Sequence, residues 1–340
     1  MTKLQQLGLT VAVSAMMSII NVAAHADGCP DEPAVPRVDS TKFYSDAKGS
    51  VVAADKAHER NQLIQPLRTF VTDASARADS ADHAEQECAL QMMLVWAKGK
   101  SMEEAPADIA GEHDRQLFAI SLNIITLKLR AAGLKIDPLL GWLGEVNRDV
   151  TGYFEHRNQV STAAHRPDAG WAPVDNLYVW SGVNAASYAV LHDDRDARRY
   201  EDKVWGGAIE AIGPDGYLES ELRRGARALT YHVYDLSAIL TMLAFRQALS
   251  EPVTPTERAA VMRLVERVGS ALCDPSAMAA KAGNVTQEKV VPLVFSPGHT
   301  LAPDFSNEQI RSCLPNIPTT DPMFGGNLEN TAKILAGLHR

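Results

Sequence analysis

Residues 117–127 of the chain read LFAISLNIITL, a run in which apolar side chains recur at helical spacing. The recurring positions are Leu117, Ile120, Ile124 and Leu127. Intervals of three and four residues place these side chains on one face of an α-helix. The run therefore predicts an amphipathic helix that ends near Gly133.

Helical signals also dominate outside this run. Asp137 and Pro138 have the residue types of an N-cap and a first helical position, and residues 254–257 (Thr-Pro-Thr-Glu) form a capping box. Similar apolar stripes cover residues 53–78, 83–98, 177–192, 196–212 and 235–249. Alternating strand patterns are scarce and the breaks between stripes are short, which predicts an all-α protein built of helical hairpins.

The composition is that of a globular protein. Of the 340 residues 46% are hydrophobic and 22% are charged, and no linker divides the chain, which predicts a single domain over residues 27–340. The formal net charge is -9, and no Lys- or Arg-rich run stands out. Nucleic acid is therefore not an expected partner, although a local basic groove on an acidic protein can still bind a polyanion.

Residues 1–26 have the pattern of a secretory signal peptide. A positive start at Lys3 precedes an apolar run over residues 7–22, and Ala24-His25-Ala26 is a small-x-small cleavage site. We expect cleavage after Ala26 and export to the periplasm. No later stretch has the length and apolar character expected of a membrane span, so we expect a soluble mature protein without membrane insertion.

The four cysteines fit an oxidising compartment. They are Cys29, Cys88, Cys273 and Cys313. An even number in an exported chain favours two disulfides, but four cysteines allow three pairings and the spacing does not choose among them. The same spacing matches no zinc signature.

Familiar cofactor and metal motifs are absent from the sequence. It contains no Gly-x-Gly-x-x-Gly after a strand, no phosphate-binding loop and no His-Glu-x-x-His, and the ten histidines are scattered. We therefore predict neither a cofactor nor a metal site. Two irregular segments, residues 27–51 and 292–326, fit either binding loops or a simple wrapping of the domain.

Residues 175–234 carry the densest set of reactive side chains. This region opens with Asp-Asn-Leu-Tyr-Val-Trp at 175–180, and residues 223–234 contain three arginines, two tyrosines and a histidine. On a continuous helix Arg224, Arg227 and Tyr231 would share one face. Composition alone favours a solvated basic face with core tyrosines.

The same region resembles the alginate lyase family of polysaccharide lyases. Residues 176–180 resemble the family's Asn-His-Ser-Tyr-Trp segment, and residues 221–234 resemble its acidic-Leu-Arg…Tyr-His-x-Tyr segment. Weaker likenesses cover Asp215-Gly216, the Cys-Ala-Leu…Trp-Ala-Lys run at 88–98 and Gly-Gly-Asn-Leu at 325–328. The resemblance implies an incomplete α/α toroid and a lyase that cleaves a β-1,4-linked polyuronate by β-elimination.

Carried over to this chain, the resemblance implies three catalytic residues. Tyr231 would transfer the proton, Arg224 would act as its partner, and Asn176 would bind and neutralise the sugar carboxylate. The family's catalytic histidine falls on Leu177, which can neither accept a proton nor stabilise charge. The elimination would then depend on a single tyrosine.

Further side chains are candidates for binding the acidic polysaccharide. They are Arg223, Arg227, Lys48, Tyr178, Trp180 and His232. Lys48 lies where family members carry a loop that closes on the substrate, and the arginines would line a groove or pair with Glu219 and Glu221. The aromatic residues would stack on sugar rings or pack in the core.

The stereochemistry of the elimination narrows the expected class of uronate in the substrate. Arg224 beside Tyr231 would favour the phenolate, and one tyrosine can serve both C5 and O4 only where the two lie on the same side of the ring. That holds for mannuronate and glucuronate and not for guluronate. The alternatives are a polyuronate-binding protein that has lost turnover, and a glycoside hydrolase with a carboxylate pair drawn from Asp175, Asp215, Glu219 and Glu221.

Overall fold

The computed structural model describes residues 29–46, 49–163 and 174–338. The predicted signal peptide and the candidate Lys48 lie outside the described residues. The helices are α1 (Ala54–Leu63), α2 (Gln65–Ala78), α3 (His83–Lys98), α4 (Ile109–Ala131), α5 (Asp137–Ala163), α6 (Asn176–His192), α7 (Arg195–Ala211), α8 (Glu219–Leu222), α9 (Ala228–Ala248), α10 (Pro255–Cys273), α11 (Ser276–Lys281), α12 (Ser296–Leu301), α13 (Glu308–Cys313) and α14 (Leu328–Leu338). Two short strands, β1 (Thr320–Asp321) and β2 (Gly326–Asn327), pair antiparallel.

The helices form two concentric layers. In the inner layer α2 packs on α4, α4 on α6, α6 on α9 and α9 on α12, while α3, α5, α7 and α10 cover these helices from outside. The C-terminal helix α14 contacts both α4 and α9 and so lies across the inner face of the ring. Helical hairpins in this order make an open α/α toroid, and the prediction of an all-α fold is confirmed.

The inner helices are buried along almost their whole length. In α4 the buried positions run from Gly111 to Leu129 with the single exception of His113, and in α6 they include every residue from Tyr178 to Leu191. A methyl group on Gly182 of α6 would lie 2.6 Å from Cγ1 of Val204 and 2.7 Å from Sδ of Met242. Glycine at this position therefore lets α7 and α9 approach α6 from both sides.

Two sequence-based expectations, one about a helical stripe and one about membrane spans, need correction. The apolar stripe over residues 53–78 forms two helices. Helix α1 ends at Leu63, Ile64 follows it, and Pro66 stands in the first turn of α2. Among the described residues, Gly225–Ala248 is long and apolar enough to pass as a membrane span, contrary to the sequence-based expectation. In its most apolar window 83% is buried inside the protein, as expected for the core helix of the ring.

Both predicted disulfides are present, and the structure gives the pairing. Cys29 is joined to Cys88, and Cys273 is joined to Cys313. The first ties the N-terminal segment to α3, and the second connects the ends of α10 and α13. The two bonds therefore hold the segments that cross the outside of the helical ring.

Candidate active site

One end of the ring carries a cleft of about 1240 Å³. Its floor is formed where the inner helices α4, α6 and α9 begin, and residues 42–44, 46, 49–51, 281–283 and 285 border its mouth. Six cationic residues line it, namely Lys42, Arg60, Arg157, Arg223, Arg224 and Lys281. Only three acidic residues do so among the described residues, Asp46, Asp175 and Glu219, so the cleft suits an anionic ligand.

Tyr231 lies in this cleft between two arginines. The guanidinium carbon of Arg224 is 4.3 Å from the centre of the Tyr231 ring, and that of Arg227 is 5.2 Å away. The three residues do not share a continuous helix, because Gly225 adopts a positive φ of 57° and α9 begins only at Ala228. The turn at Gly225, and not the predicted shared helix face, brings both arginines close to Tyr231.

Tyr44 covers Tyr231 from the N-terminal segment. Its hydroxyl is hydrogen-bonded to the Tyr231 hydroxyl and also accepts a hydrogen bond from Arg227. Arg227 further pairs with Glu288 at 3.4 Å and is absent from the residues that line the cleft. In this structure Arg227 thus holds Tyr44, and its role in binding sugar stays a prediction. No sequence motif pointed to Tyr44.

The protonation state of Tyr231 differs from the expectation. Burial is the largest influence and raises the pKa of the Tyr231 phenol, and Tyr44 raises it further. Arg224 and Arg227 lower it but do not outweigh burial. With Tyr44 in place, Tyr231 is thus a protonated phenol at neutral pH, and the arginines alone do not produce the phenolate.

Asn176 is the first residue of α6 and is held by a buried carboxylate. Its side-chain amide and its backbone N–H donate to Oε1 of Glu221 at 3.1 and 3.3 Å, and Nε of Arg224 donates to the other oxygen at 3.3 Å. The Glu221 side chain is completely buried. One carboxylate therefore sets the positions of both predicted carboxylate-binding residues.

Two further acidic residues are Asp175, which lines the cleft, and Asp235, which is buried on α9. Asp175 caps α6, accepting from the N–H of Tyr178, and pairs with Arg157 through two bonds of 3.0 and 2.5 Å. Burial opposes ionisation of Asp175, but Arg157 outweighs it and the pKa is lowered. Within the described residues Asp235 forms no ion pair of this kind. Burial and, next, Glu221 raise the pKa of Asp235, so Asp235 is the protonated member of this group.

The structure adds His113, from the first turns of α4, to the cleft. His113 stands in an unbroken polar run, Glu-His-Asp-Arg-Gln at 112–116, within an otherwise apolar helix. This polar run is the sequence signal that distinguishes His113 from the core positions around it. Arg60, which pairs with Asp114, enters the cleft from the neighbouring α1.

Three candidate residues are structural. Tyr178 is buried against the Tyr200 ring, and Trp180 is buried between Tyr234 and Phe324, with ring centres 5.0 Å from each. His232 is also buried: its Nε2 accepts from the N–H of Leu218 at 3.0 Å, and its Nδ1 donates to the carbonyl of Ala228 at 2.8 Å. These residues are therefore not available to bind a ligand in the cleft.

Two groups of residues considered from the sequence remain, namely those that line the cleft and the four carboxylates of a possible hydrolase. Arg223 and Leu177 line the cleft, and Leu177 supplies an apolar patch beside Asn176. Of the four carboxylates considered for a hydrolase, Asp175 and Glu221 are held by arginines, and Asp215 pairs with Lys281 at 2.9 Å. Only Glu219 lines the cleft without such an ion pair among those described, which leaves no carboxylate pair for hydrolysis.

The fold is thus an α/α toroid with a basic cleft around a buried tyrosine and two arginines. The sequence model of the alginate lyase family ("Alginate lyase") matches residues 39–278, more than two thirds of the chain. The chain belongs to this family and is a polysaccharide lyase.

Similar sequences and structures agree with this assignment. An alginate lyase of Pseudomonas syringae pv. tomato is 27% identical over 262 residues, 73% of this chain and 67% of the relative. A polysaccharide lyase of Stenotrophomonas maltophilia is 22% identical over 283 residues, 79% and 81% of the two chains. A histidine-to-alanine variant of alginate lyase A1-III, complexed with tetrasaccharide, superposes with a TM-score of 0.68 at 16% identity, covering 91% of this chain and 88% of that one. Alginate lyase A1-III from Sphingomonas species A1 gives 0.61 at 17%, covering 88% and 84%. These structures confirm the predicted toroid.

The buried position of His232 predicts a pH-dependent contribution to stability. Burial lowers the pKa of His232 to about 4, while in the unfolded chain it is near 6.5. Between these values the unfolded state binds more protons, so the stability present above pH 6.5 is lost as the pH falls towards 4, by up to about 3 kcal/mol. His232→Gln lacks this titration. Urea unfolding of both proteins at pH 7 and 4.5 should show the wild type losing more stability than the variant; an equal loss would contradict a neutral, buried His232.

Proposed function

We propose that the protein cleaves a β-1,4-linked polyuronate, alginate rich in mannuronate or a polyglucuronate, by β-elimination. The observation that carries the proposal is Tyr231 between Arg224 and Arg227 in a cationic cleft of an alginate lyase family member. Relatives named alginate lyase and a neighbour complexed with tetrasaccharide support the choice of an acidic polysaccharide as substrate.

The sugar carboxylate binds Arg224 and Asn176 in this proposal. The C5 proton is weakly acidic while the carboxylate keeps its full charge, so hydrogen bonds that withdraw this charge stabilise the enolate-like transition state. Glu221 holds both side chains in place through its two oxygens. The chain's own residues supply this stabilisation, and the proposal involves no metal ion.

Tyr231 moves the proton. The substrate displaces the Tyr44 hydroxyl, which removes one of the groups that raise the Tyr231 pKa and leaves the two arginines beside the Tyr231 ring. The Tyr231 phenol gives its proton to water, and the phenolate then takes the proton from C5. The electrons of the C5–H bond form the C4=C5 double bond, and the C4–O4 bond breaks with its electrons on O4. Tyr231 then gives the proton to O4 of the leaving sugar, so protons and electrons balance.

We place this activity in the periplasm. The N-terminal pattern of a signal peptide and the two disulfides favour an exported protein, because such bonds persist in oxidising compartments. An exported location also gives the cleft access to a polysaccharide outside the cytoplasm.

Tyr231→Phe tests the proton transfer. The variant keeps the ring between the arginines but lacks the hydroxyl, so kcat/KM should fall about 100- to 10,000-fold with little loss of polymer binding. The measurement is the near-ultraviolet absorbance of the C4–C5 unsaturated product. Tyr188→Phe is the matched control, because Tyr188 is a buried tyrosine outside the cleft. A Tyr231→Phe enzyme that turns over normally would refute the mechanism.

Polymers of single uronates test the stereochemistry. A single tyrosine serves elimination only where the C5 proton and O4 lie on the same side, so the wild type should cleave polymannuronate or polyglucuronate and leave polyguluronate intact. Absorbance is followed on separate, purified polymers. Efficient cleavage of polyguluronate would require a second base across the ring and would contradict the single-tyrosine mechanism.

The same assay decides between enzyme and binding protein. Leu177 in the cleft is the observation that favours a binding protein, because an apolar side chain there contributes nothing to proton transfer. Retention of all three polymers by the wild type with no unsaturated product would establish binding without turnover.

A further inference from the structure

His113 is the neutral, polar ring of the cleft that the proposed mechanism does not use. It reaches the cleft from α4 and is linked to Tyr231 through Tyr234, one turn further along α9. The ring centres of His113 and Tyr234 are 6.3 Å apart, as are those of Tyr234 and Tyr231, and both pairs meet edge to face. One aromatic ring, that of Tyr234, therefore separates His113 from the proton-transferring Tyr231.

Its hydrogen bonds define which nitrogen carries the proton. The side-chain amide of Gln116 donates to Nδ1 at 3.0 Å, so Nδ1 is an acceptor and the neutral ring carries its hydrogen on Nε2. Nε2 is 3.4 Å from the Tyr234 hydroxyl, a long contact that satisfies the N–H only weakly. In this tautomer His113 offers a donor to the cleft and no base.

The surroundings keep the ring neutral. Burial lowers the pKa of His113 to about 4. Asp114 on its own helix and Asp175 at the start of α6 act in the opposite direction, while Arg60 from α1 and Arg224 from the turn before α9 lower the pKa further. At neutral pH the side chain is thus an uncharged N–H donor close to Arg60 and Arg224, which suits it to an anion that gains charge during a reaction.

We propose that His113 is a catalytic residue that donates its Nε2–H to the uronate carboxylate as charge develops on it, together with Arg224 and Asn176. The inference rests on the proposed function and supplies from α4 the polar ring that Leu177 lacks on α6. Because Nε2 already carries a hydrogen, His113 does not abstract the C5 proton, and proton transfer stays with Tyr231.

Two substitutions separate a donor from a base or a packing residue. His113→Phe keeps a ring but removes the donor, and kcat on polymannuronate should fall about 100-fold with KM changed much less. His113→Gln restores an N–H donor and should recover about 10-fold of that loss. His83→Phe on α3 is the matched control, because the His83 side chain is 62% exposed and lies outside the cleft. Thermal unfolding midpoints establish that each variant is folded.

The outcomes are distinct. Folded His113→Phe with wild-type kcat would overturn the inference while leaving the proposed function intact. His113→Gln as impaired as His113→Phe would show that a donor is not what the site needs, and would also overturn it. A wild-type enzyme that yields no unsaturated product from polymannuronate or polyglucuronate would contradict the proposed function itself.

Discussion

The buried carboxylate of Glu221 is the interaction on which the site depends. It accepts hydrogen bonds from the side chain and backbone of Asn176 and from Arg224, and so joins the start of α6 to the turn that precedes α9. Removing such a carboxylate would leave both donors without their partner in a buried region, which is costly. The folded protein therefore orients Asn176 and Arg224 before the substrate binds.

The toroid explains why residues from distant parts of the sequence meet. Its inner helices run in the same direction, so α4, α6 and α9 begin at the same end of the ring, and His113, Asn176 and Tyr231 all lie in their first two turns. Asp175 and Glu221 already accept hydrogen bonds from N–H groups at the start of α6, so the positive potential of the cleft comes chiefly from the lining arginines and lysines. The architecture thus concentrates positive potential where an acidic sugar would bind.

Sequence periodicity was sufficient for the helices and for part of the site. The apolar stripes located most of the long helices, and the cluster at 175–234 contained Asn176, Arg224 and Tyr231. A helix turns 100° per residue, so Tyr178 faces away from the side of α6 that carries Asn176. Trp180 lies on nearly the same side as Asn176 but one turn further along α6, where Tyr234 and Phe324 cover it. Tyr44 and His113 are 187 and 121 residues from their partners Tyr231 and Tyr234, and only the tertiary structure brings them together.

The central claim is that one tyrosine serves both C5 and O4 of a bound uronate. The most direct test is the crystal structure of Tyr231→Phe with tetramannuronate in the cleft. The account predicts that Tyr44 has moved, that C5–H and O4 of one sugar face the position of the missing hydroxyl at about 3–3.5 Å, and that the carboxylate contacts Arg224 and Asn176. A sugar with C5–H directed away from residue 231 would contradict the account.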